Sequence, residues 1–333
     1  MSTNTTQNVL SSGRRRLMGA AAGAGALSLL PGFAGAQGKF PVRPITLYGA
    51  LPGGGIQDQH LRFLGERASK VLGQPIAIEP KPGAGATLAP TLLLNARPDG
   101  YTLAANTVNS FRYPHYQQTN YHPLKDFEFV IGLSNFTFAV AVLADSPYKT
   151  IEDLIAAGKK DPNKLTSGST GHGGTGHLIL IQIEQATGAK FTQVPFKGGP
   201  DAIAALLGKH IDFITDGATF APLADEGRVR ILALATEQPT ERFKGVPTLR
   251  QKGIDAVGWS PYGILAPKGT PRDIINTIHD AFKKAMDDPA HQAFLDKFIQ
   301  PTWYKNPDEF RAWAEKYYTD VLPLLKVAGL VKG

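Results

Sequence analysis

Apolar positions along this chain fall into two alternating rhythms, short runs that suit strands and i, i+3/i+4 spacings that suit helices. Residues 45–50 (Ile-Thr-Leu-Tyr-Gly-Ala) predict a buried strand bounded by Pro44 and Pro52. Gly53, Gly54 and Gly55 then permit backbone turns that a Cβ would forbid. From Gln57 onward, Leu61, Leu64, Ala68 and Leu72 recur at helical spacing. A strand, a glycine turn and a helix N-terminus together collect free N–H groups around the positive end of a dipole, which suits an anion. A tight turn with no ligand would show the same pattern.

The rhythm then repeats. A strand is expected at 76–79, a second glycine turn at Lys81-Pro82-Gly83-Ala84-Gly85-Ala86, a helix at 87–96 and a strand at 101–105. This β-α-β-α-β order implies parallel strands with right-handed crossovers, and ligands in such sheets sit beyond the carboxyl ends of the strands, where both glycine turns fall. Two strands at 126–134 and 139–144 follow, then a helix at 150–161 that Thr150 caps with Asp153 three residues on. A second α/β run comes next: a strand at 165–167, a loop at 168–174, a helix to 187 that Thr175 opens as its cap, a strand at 191–196, a helix at 199–208, and strands at 211–215 and 229–235. The second half thus repeats the layout of the first, so the fold class is two similar α/β domains joined by a hinge. A strand at 259–266, a helix opened by Thr270-Pro271, and a helix at 308–327 are expected to return to the first domain. Phe310, Trp313, Tyr317, Val321 and Leu324 on the last helix read as a core stripe. With crossings near Phe138 and Trp259, domain 1 comprises 37–137 plus 259–333 and domain 2 comprises 138–258.

The first 36 residues do not belong to this pattern. Arg14-Arg15-Arg16, an apolar Ala/Leu run and Ala34-Gly35-Ala36 describe an export signal cleaved after about Ala36. Its arginine pair resembles the twin-arginine type, so the expected location is the periplasm. The leader carries three arginines and no acids, so the formal charge of +7 falls to +4 without it. That excess is spread thinly and forms no basic block, which argues against nucleic-acid binding. The absence of cysteine excludes disulfides, thiolate metal sites and cysteine nucleophiles.

Enzyme signatures mostly fail. Residues 167–171 read Ser-Gly-Ser-Thr-Gly, one glycine short of a nucleophile elbow. Gly83-Ala84-Gly85 is followed by Leu88 where a dinucleotide fingerprint needs its third glycine. His172 and His177 have no third ligand beside them, so neither a metal nor a cofactor is expected. What recurs is short hydroxyl and amide residues among glycines: Ser169, Thr170, His172 and Thr175 in one loop, Asn106, Thr107 and Asn109 in another. Such groups hydrogen-bond a carboxylate without bringing a full charge. The competing reading is a secreted hydrolase or lyase that uses Ser169, His172 and Asp216.

An ordered set of short motifs carries a resemblance over the whole chain after the leader. Pro41-x-x-Pro44-Ile45, Pro52-Gly53-Gly54-Gly55-x-x-Asp58 and Leu72-Gly73-Gln74-Pro75 come first, then Pro82-Gly83-Ala84-Gly85 and Pro98-Asp99-Gly100-Tyr101-Thr102-Leu103. Gly168-Ser169-Thr170-Gly171, Val194-Pro195-Phe196-Lys197-Gly198, Ile211-Asp212-Phe213 and Leu265-Ala266-Pro267-Lys268-Gly269-Thr270-Pro271 follow. Together they resemble the solute-binding proteins of tripartite tricarboxylate transporters, the Bug-type receptors. The resemblance implies a two-domain periplasmic binding protein of venus-flytrap architecture, and a monomer is expected. Such a receptor catalyses nothing; it delivers an organic acid to cognate membrane permease subunits. Carried over by position, it implicates Gly54, Gly55, Ala84, Gly85, Ser169, Thr170, Thr175 and Asp216 as ligand-binding. Four further candidates stand where the family commonly differs: Gln57 in place of Thr, His172 in place of Asn, Phe138 where Asn is frequent, and Arg112 in a loop of small polar residues.

Phe111, Phe136, Phe138, Phe220, Trp259 and Tyr262 are all expected at strand ends or crossovers facing the cleft. With Arg112 as a bidentate grip on a second carboxylate, they suggest an aromatic mono- or dicarboxylate such as terephthalate ahead of citrate-like acids.

Overall fold

The structure, a computed structural model, describes residues 40–331. The export signal expected over 1–36 lies outside the described residues. From the first strand the chain runs β1 (Ile45–Gly49), α1 (Ile56–Leu72), β2 (Ile76–Pro80), α2 (Leu88–Leu92), β3 (Thr102–Ala105), α3 (Asn109–Arg112) and β4 (Phe127–Asn135). It continues with β5 (Phe138–Leu143), α4 (Ile151–Lys160), β6 (Thr166–Thr170), α5 (Thr175–Thr187), β7 (Thr192–Phe196), α6 (Gly199–Leu207), β8 (Phe213–Gly217), α7 (Ala221–Asp225) and β9 (Val229–Leu234). The last elements are β10 (Pro261–Pro267), α8 (Arg272–Met286), α9 (Pro289–Lys297), β11 (Thr302–Lys305) and α10 (Pro307–Val327).

These strands form two mixed sheets, ordered β11-β4-β10-β3-β1-β2 and β7-β6-β8-β5-β9. In the first, β1 pairs in parallel with both β2 and β3; in the second, β6 does so with β7 and β8. Each parallel trio is then flanked by an antiparallel strand, β10 beside β3 and β5 beside β8. Each of those two strands is the first the chain lays down after leaving the other sheet. The two halves therefore share one layout, as the repeated rhythm predicts, and we call them the first and second lobes.

Two stretches connect the lobes, and they lie side by side. Residues 136 and 137 join β4 to β5, and a long stretch after β9 returns to β10. Phe136 N–H donates to the Ser260 carbonyl at 3.2 Å, and Ser260 N–H donates to Asn135 Oδ1 at 2.7 Å. Gly258 N–H donates to the Ala235 carbonyl, and Ala235 N–H to that of Phe138. At Gly258 a Cβ would come 2.7 Å from that of Phe138, so this residue has to be glycine for the two crossovers to touch.

Local sequence explains most elements. Helix α1 buries Leu61, Leu64 and Ala68 of the expected stripe against the first sheet, with Ile56 ahead of them, while Leu72 is half-buried. Thr150 and Asp153 form the expected capping box at α4. Helices α8 and α10 pack on β4, which returns the C-terminal segment to the first lobe. Phe310 of α10 is fully buried, with Trp303 and Phe129 edge-on to its ring. The stripe continues at the far end of α10, where Val321 and Leu325 pack on Leu178 of α5, so this helix touches both lobes.

Several expectations need correction. Residues 168–170 are not loop but the end of β6, because the strand pairs with β7 through Thr170. Thr175 is not a cap: Gly174 occupies that position in extended conformation, and Thr175 is the first helical residue. Tyr262, Phe111 and Phe220 do not face a cleft; all three are fully buried in the core.

Tyr262 instead joins a buried hydrogen-bonded network. His291 Nδ1 lies 3.0 Å from the Met286 carbonyl, which can only accept, so Nδ1 carries a proton and a neutral His291 accepts at Nε2. His60 Nε2, 2.7 Å away, must then donate, which leaves His60 Nδ1 as an acceptor 2.6 Å from Tyr262 Oη, whose single proton it shares with Gln300 Oε1 at 3.1 Å. Burial holds both imidazoles below their usual range.

Candidate functional site

Two lobes built this way leave their strand-to-helix turns facing one another, and a cavity partly open to solvent lies between them. The first lobe contributes Gly55 and Ile56 at the start of α1, Ala86 after β2, and Thr107 and Asn109 after β3. Thr170, Thr175, Gly176, Gly199, Pro200, Asp216 and Gly217 come from the second, while the crossovers add Phe136, Phe138 and Ser260. Three helices, α1, α5 and α6, therefore begin at its wall. Their first-turn N–H groups lack intrahelical partners, and the dipoles behind them favour negative charge.

The glycine-rich sequence is what lets these turns approach. Gly54 turns left-handed at φ +75°, and its N–H donates to Asp58 Oδ2 at 2.9 Å. Residues 83–86 all have positive φ, including Ala84 at +46° and Ala86 at +71°, a conformation costly for alanine. Asn109 Nδ2 braces that turn by donating to the Gly85 carbonyl at 2.8 Å. Across the gap, a Cβ on Gly176 would stand 1.7 Å from the Thr215 carbonyl, so α5 needs glycine there to lie against β8.

The lobes touch at both rims of the cleft. Pro52 of the first lobe meets Gly198 of the second, where a Cβ would come 2.4 Å from the proline ring. On the other rim, Tyr113 Oη and Tyr116 Oη donate to the His172 carbonyl at 3.1 and 3.3 Å. The lobes thus meet on both sides of the cavity that lies between them.

Asp216 is the ionisable side chain in the cavity wall. Thr170 Oγ1 bonds both its carboxylate oxygens, at 3.1 and 3.2 Å. Burial outweighs those bonds and pushes its carboxyl up to about 6. Asn109 Oδ1 is buried in the wall without a hydrogen-bond partner in the structure. The apolar part of the wall is Leu51, Ile56, Pro200 and the rings of Phe136 and Phe138.

Of the residues singled out from sequence, Gly55, Phe138, Thr170, Thr175 and Asp216 line this cavity, and the other seven do not. Gln57 is a buried clamp: its Oε1 accepts from Ala50 N–H and its Nε2 donates to the Asn106 carbonyl, tying the exits of β1 and β3 together. Ser169 Oγ accepts from Gln193 Nε2 beneath α5. The His172 side chain is exposed, with its ring 4.5 Å from that of His177. Gly54, Ala84 and Gly85 shape the turns beside the wall. Arg112 is 3% exposed and lies behind Thr175, whose hydroxyl it reaches at 2.8 Å. The trio Ser169, His172 and Asp216 is not assembled, since the serine bonds Gln193 and the histidine faces outward. Among the described residues no three His, Asp or Glu side chains gather as a metal site.

Sequence reasoning missed the third junction, Gly198-Gly199-Pro200 after β7. Its strand–glycine–helix pattern matches that after β1, and the same argument could have found it. Phe136 lines the wall as its place at a crossover predicts, whereas Ser260 enters it only because the crossovers run side by side, which no local pattern encodes.

Two lobes closing on a pocket walled by helix N-termini define a ligand-capturing receptor. The family model described as "Tripartite tricarboxylate transporter family receptor" matches residues 61–330, and the chain belongs to that family. A Cupriavidus necator relative, the UPF0065 protein in the gbd 5′ region, is 40% identical over 94% of this chain and 96% of its own length. A solved structure described as a periplasmic transporter superposes with TM-score 0.83 at 32% identity, covering 88% of this chain and 99% of that one. The periplasmic binding protein BugD gives 0.83 at 26% identity, covering 88% and 100%. Two proteins of Rhodopseudomonas palustris at 25% identity also match, one solved with adipate (TM-score 0.82, covering 87% and 98%) and MatC with bound malate (0.80, covering 87% and 100%).

Proposed function

We propose that this protein is exported by its leader to the periplasm, captures an organic carboxylate, and hands it as a monomer to a tripartite tricarboxylate-type permease. The observation that carries the reading is the convergence of α1, α5 and α6 on one interlobe cavity with few charges in its wall. Adipate and malate in two relatives support a carboxylate as ligand. Residues 37–137 with 259–333 and residues 138–258 are the two bodies that close on it, about a hinge at the paired crossovers. Gly55, Thr170, Thr175 and Asp216 hold the ligand, Phe138 flanks it, and the other candidates act from behind. Only the closed form presents both halves of the site, so binding favours closure.

The ligand proposed is an aromatic mono- or dicarboxylate, of which terephthalate is the type. Phe136 and Phe138 offer flat walls, and ring stacking adds about 0.5–1.5 kcal/mol per pair beyond burial. One observation favours a second reading, an aliphatic hydroxyacid: the unpartnered Asn109 Oδ1 needs a donor, which a hydroxyl supplies and a benzene dicarboxylate lacks. Calorimetric titration of terephthalate, phthalate, benzoate, adipate, malate and citrate decides between them. Tight binding of aliphatic acids with no heat from any aromatic acid overturns the aromatic reading. Silence from all six overturns the carboxylate receptor.

A further inference from the structure

A buried charge lies behind the cavity wall. Arg112, the last residue of α3, is 3% exposed, and no Asp or Glu among the described residues forms an ion pair with it. Its donors go to uncharged oxygens on three elements. Nε donates to Tyr317 Oη of α10 at 2.7 Å, Nη1 to Thr175 Oγ1 of α5 at 2.8 Å, and Nη2 to the Trp259 carbonyl of the second crossover at a long 3.5 Å. A desolvated guanidinium held by neutral acceptors is costly unless an anion stands near it.

We propose that Arg112 is a positioning residue for an anionic ligand, acting through the Thr175 hydroxyl. This rests on the carboxylate reading above. Arginine cannot accept, so Thr175 Oγ1 accepts from it and must direct its own proton elsewhere. Thr175 lines the cavity and is the first residue of α5, so that proton points to where an anion meets the helix N-terminus. The guanidinium polarises the hydroxyl and supplies the balancing charge from one bond away, without touching the ligand. Arg112 belongs to the first lobe and Thr175 to the second. The bond therefore exists only when the lobes are closed, and it links anion recognition to closure. The pairing also gives selectivity, because a neutral ligand of the same shape gains nothing from the charge.

The experiment measures two matched probe pairs, terephthalate against terephthalamide and adipate against adipamide. Calorimetry compares wild type, Arg112→Gln, Thr175→Val and the double variant, with thermal unfolding to confirm folding. Thr175→Val keeps the side chain's size and remains informative if Arg112→Gln fails to fold. Each single variant should weaken binding of the diacid by about 30-fold, the loss expected for a hydrogen bond to a charged group. The diamide should be almost unaffected, and the double variant should lose little more than one single variant. Equal loss for diacid and diamide, or additive losses in the double variant, overturns the assignment as a merely structural role would predict. Wild type that binds diacids while both variants bind as well overturns the assignment alone. Wild type that binds neither diacid overturns the carboxylate reading for these probes and this assignment with it.

Discussion

Asp216→Asn should stabilise the ligand-free protein at neutral pH, by an amount that grows with pH. The carboxyl is pushed from its ordinary 3.8 up to about 6 by burial. Between those values the folded state keeps a proton that the unfolded chain has released, so stability falls as pH rises through the window. Above it the full cost is in place, about 3 kcal/mol at 1.36 kcal/mol per pH unit. Asparagine nearly matches the side chain in size and keeps one oxygen for the Thr170 hydroxyl but never ionises. Its NH2 group cannot accept from the Thr170 and Gly217 N–H groups that bond the carboxylate, which returns about 1 kcal/mol. The net gain is therefore about 2 kcal/mol at pH 7.5, and the variant's advantage should change by about 2 kcal/mol between pH 4.5 and 7.5. His60, His177 and His291, held below their usual range by burial, act in the opposite sense and remove stability as pH falls below 6.5. They are common to both proteins and cancel in the difference. Urea unfolding of wild type and variant at the two pH values, after stripping any ligand, measures it. A difference that does not change with pH refutes the argument that an ionised Asp216 burdens the fold.

Three further outcomes follow from the same geometry. Carboxylate affinity should rise as pH falls through about 6, where Asp216 becomes a neutral donor instead of a repelling charge, and Asp216→Asn should flatten that profile in calorimetry at pH 5 and 8. Gly198→Val should abolish binding without unfolding the protein, because its backbone is extended and the atoms nearest its new Cβ are ring atoms of Pro52 and Pro200; small-angle scattering should show no compaction with ligand, and normal closure would disprove the rim contact. Gly85→Ala places a Cβ 1.6 Å from Tyr113 Oη at φ +60° and should lower stability by about 1–3 kcal/mol; an unchanged melting temperature would refute that close approach.

How much of this the sequence disclosed depended on the range of the interaction. The two glycine turns, the parallel trios and the box at Thr150 are local, and each was legible. The Thr175 cap was misread because glycine and threonine both suit that position, and only the backbone angles at Gly174 decide between them. Helix α9 and strand β11 were overlooked because each is short and has no pronounced apolar period of its own. The aromatic residues were harder still. Phe136 and Tyr262 stack on each other at 4.6 Å, yet one lines the cavity and the other is core. Nothing near Arg112 in the sequence reveals that α5 and α10 meet around it.

The placement of β10 has a consequence for synthesis. This strand sits in the middle of the first sheet, between β3 and β4, yet the second lobe's five strands are all made before it. As the chain lengthens, the second lobe is continuous and can complete its sheet, while the first waits with β4 unpaired on both edges and β3 on one. A product truncated before Pro261 would therefore not be a half-active receptor. It would carry one finished lobe and one split sheet, with β3 and β4 free to pair with any neighbour.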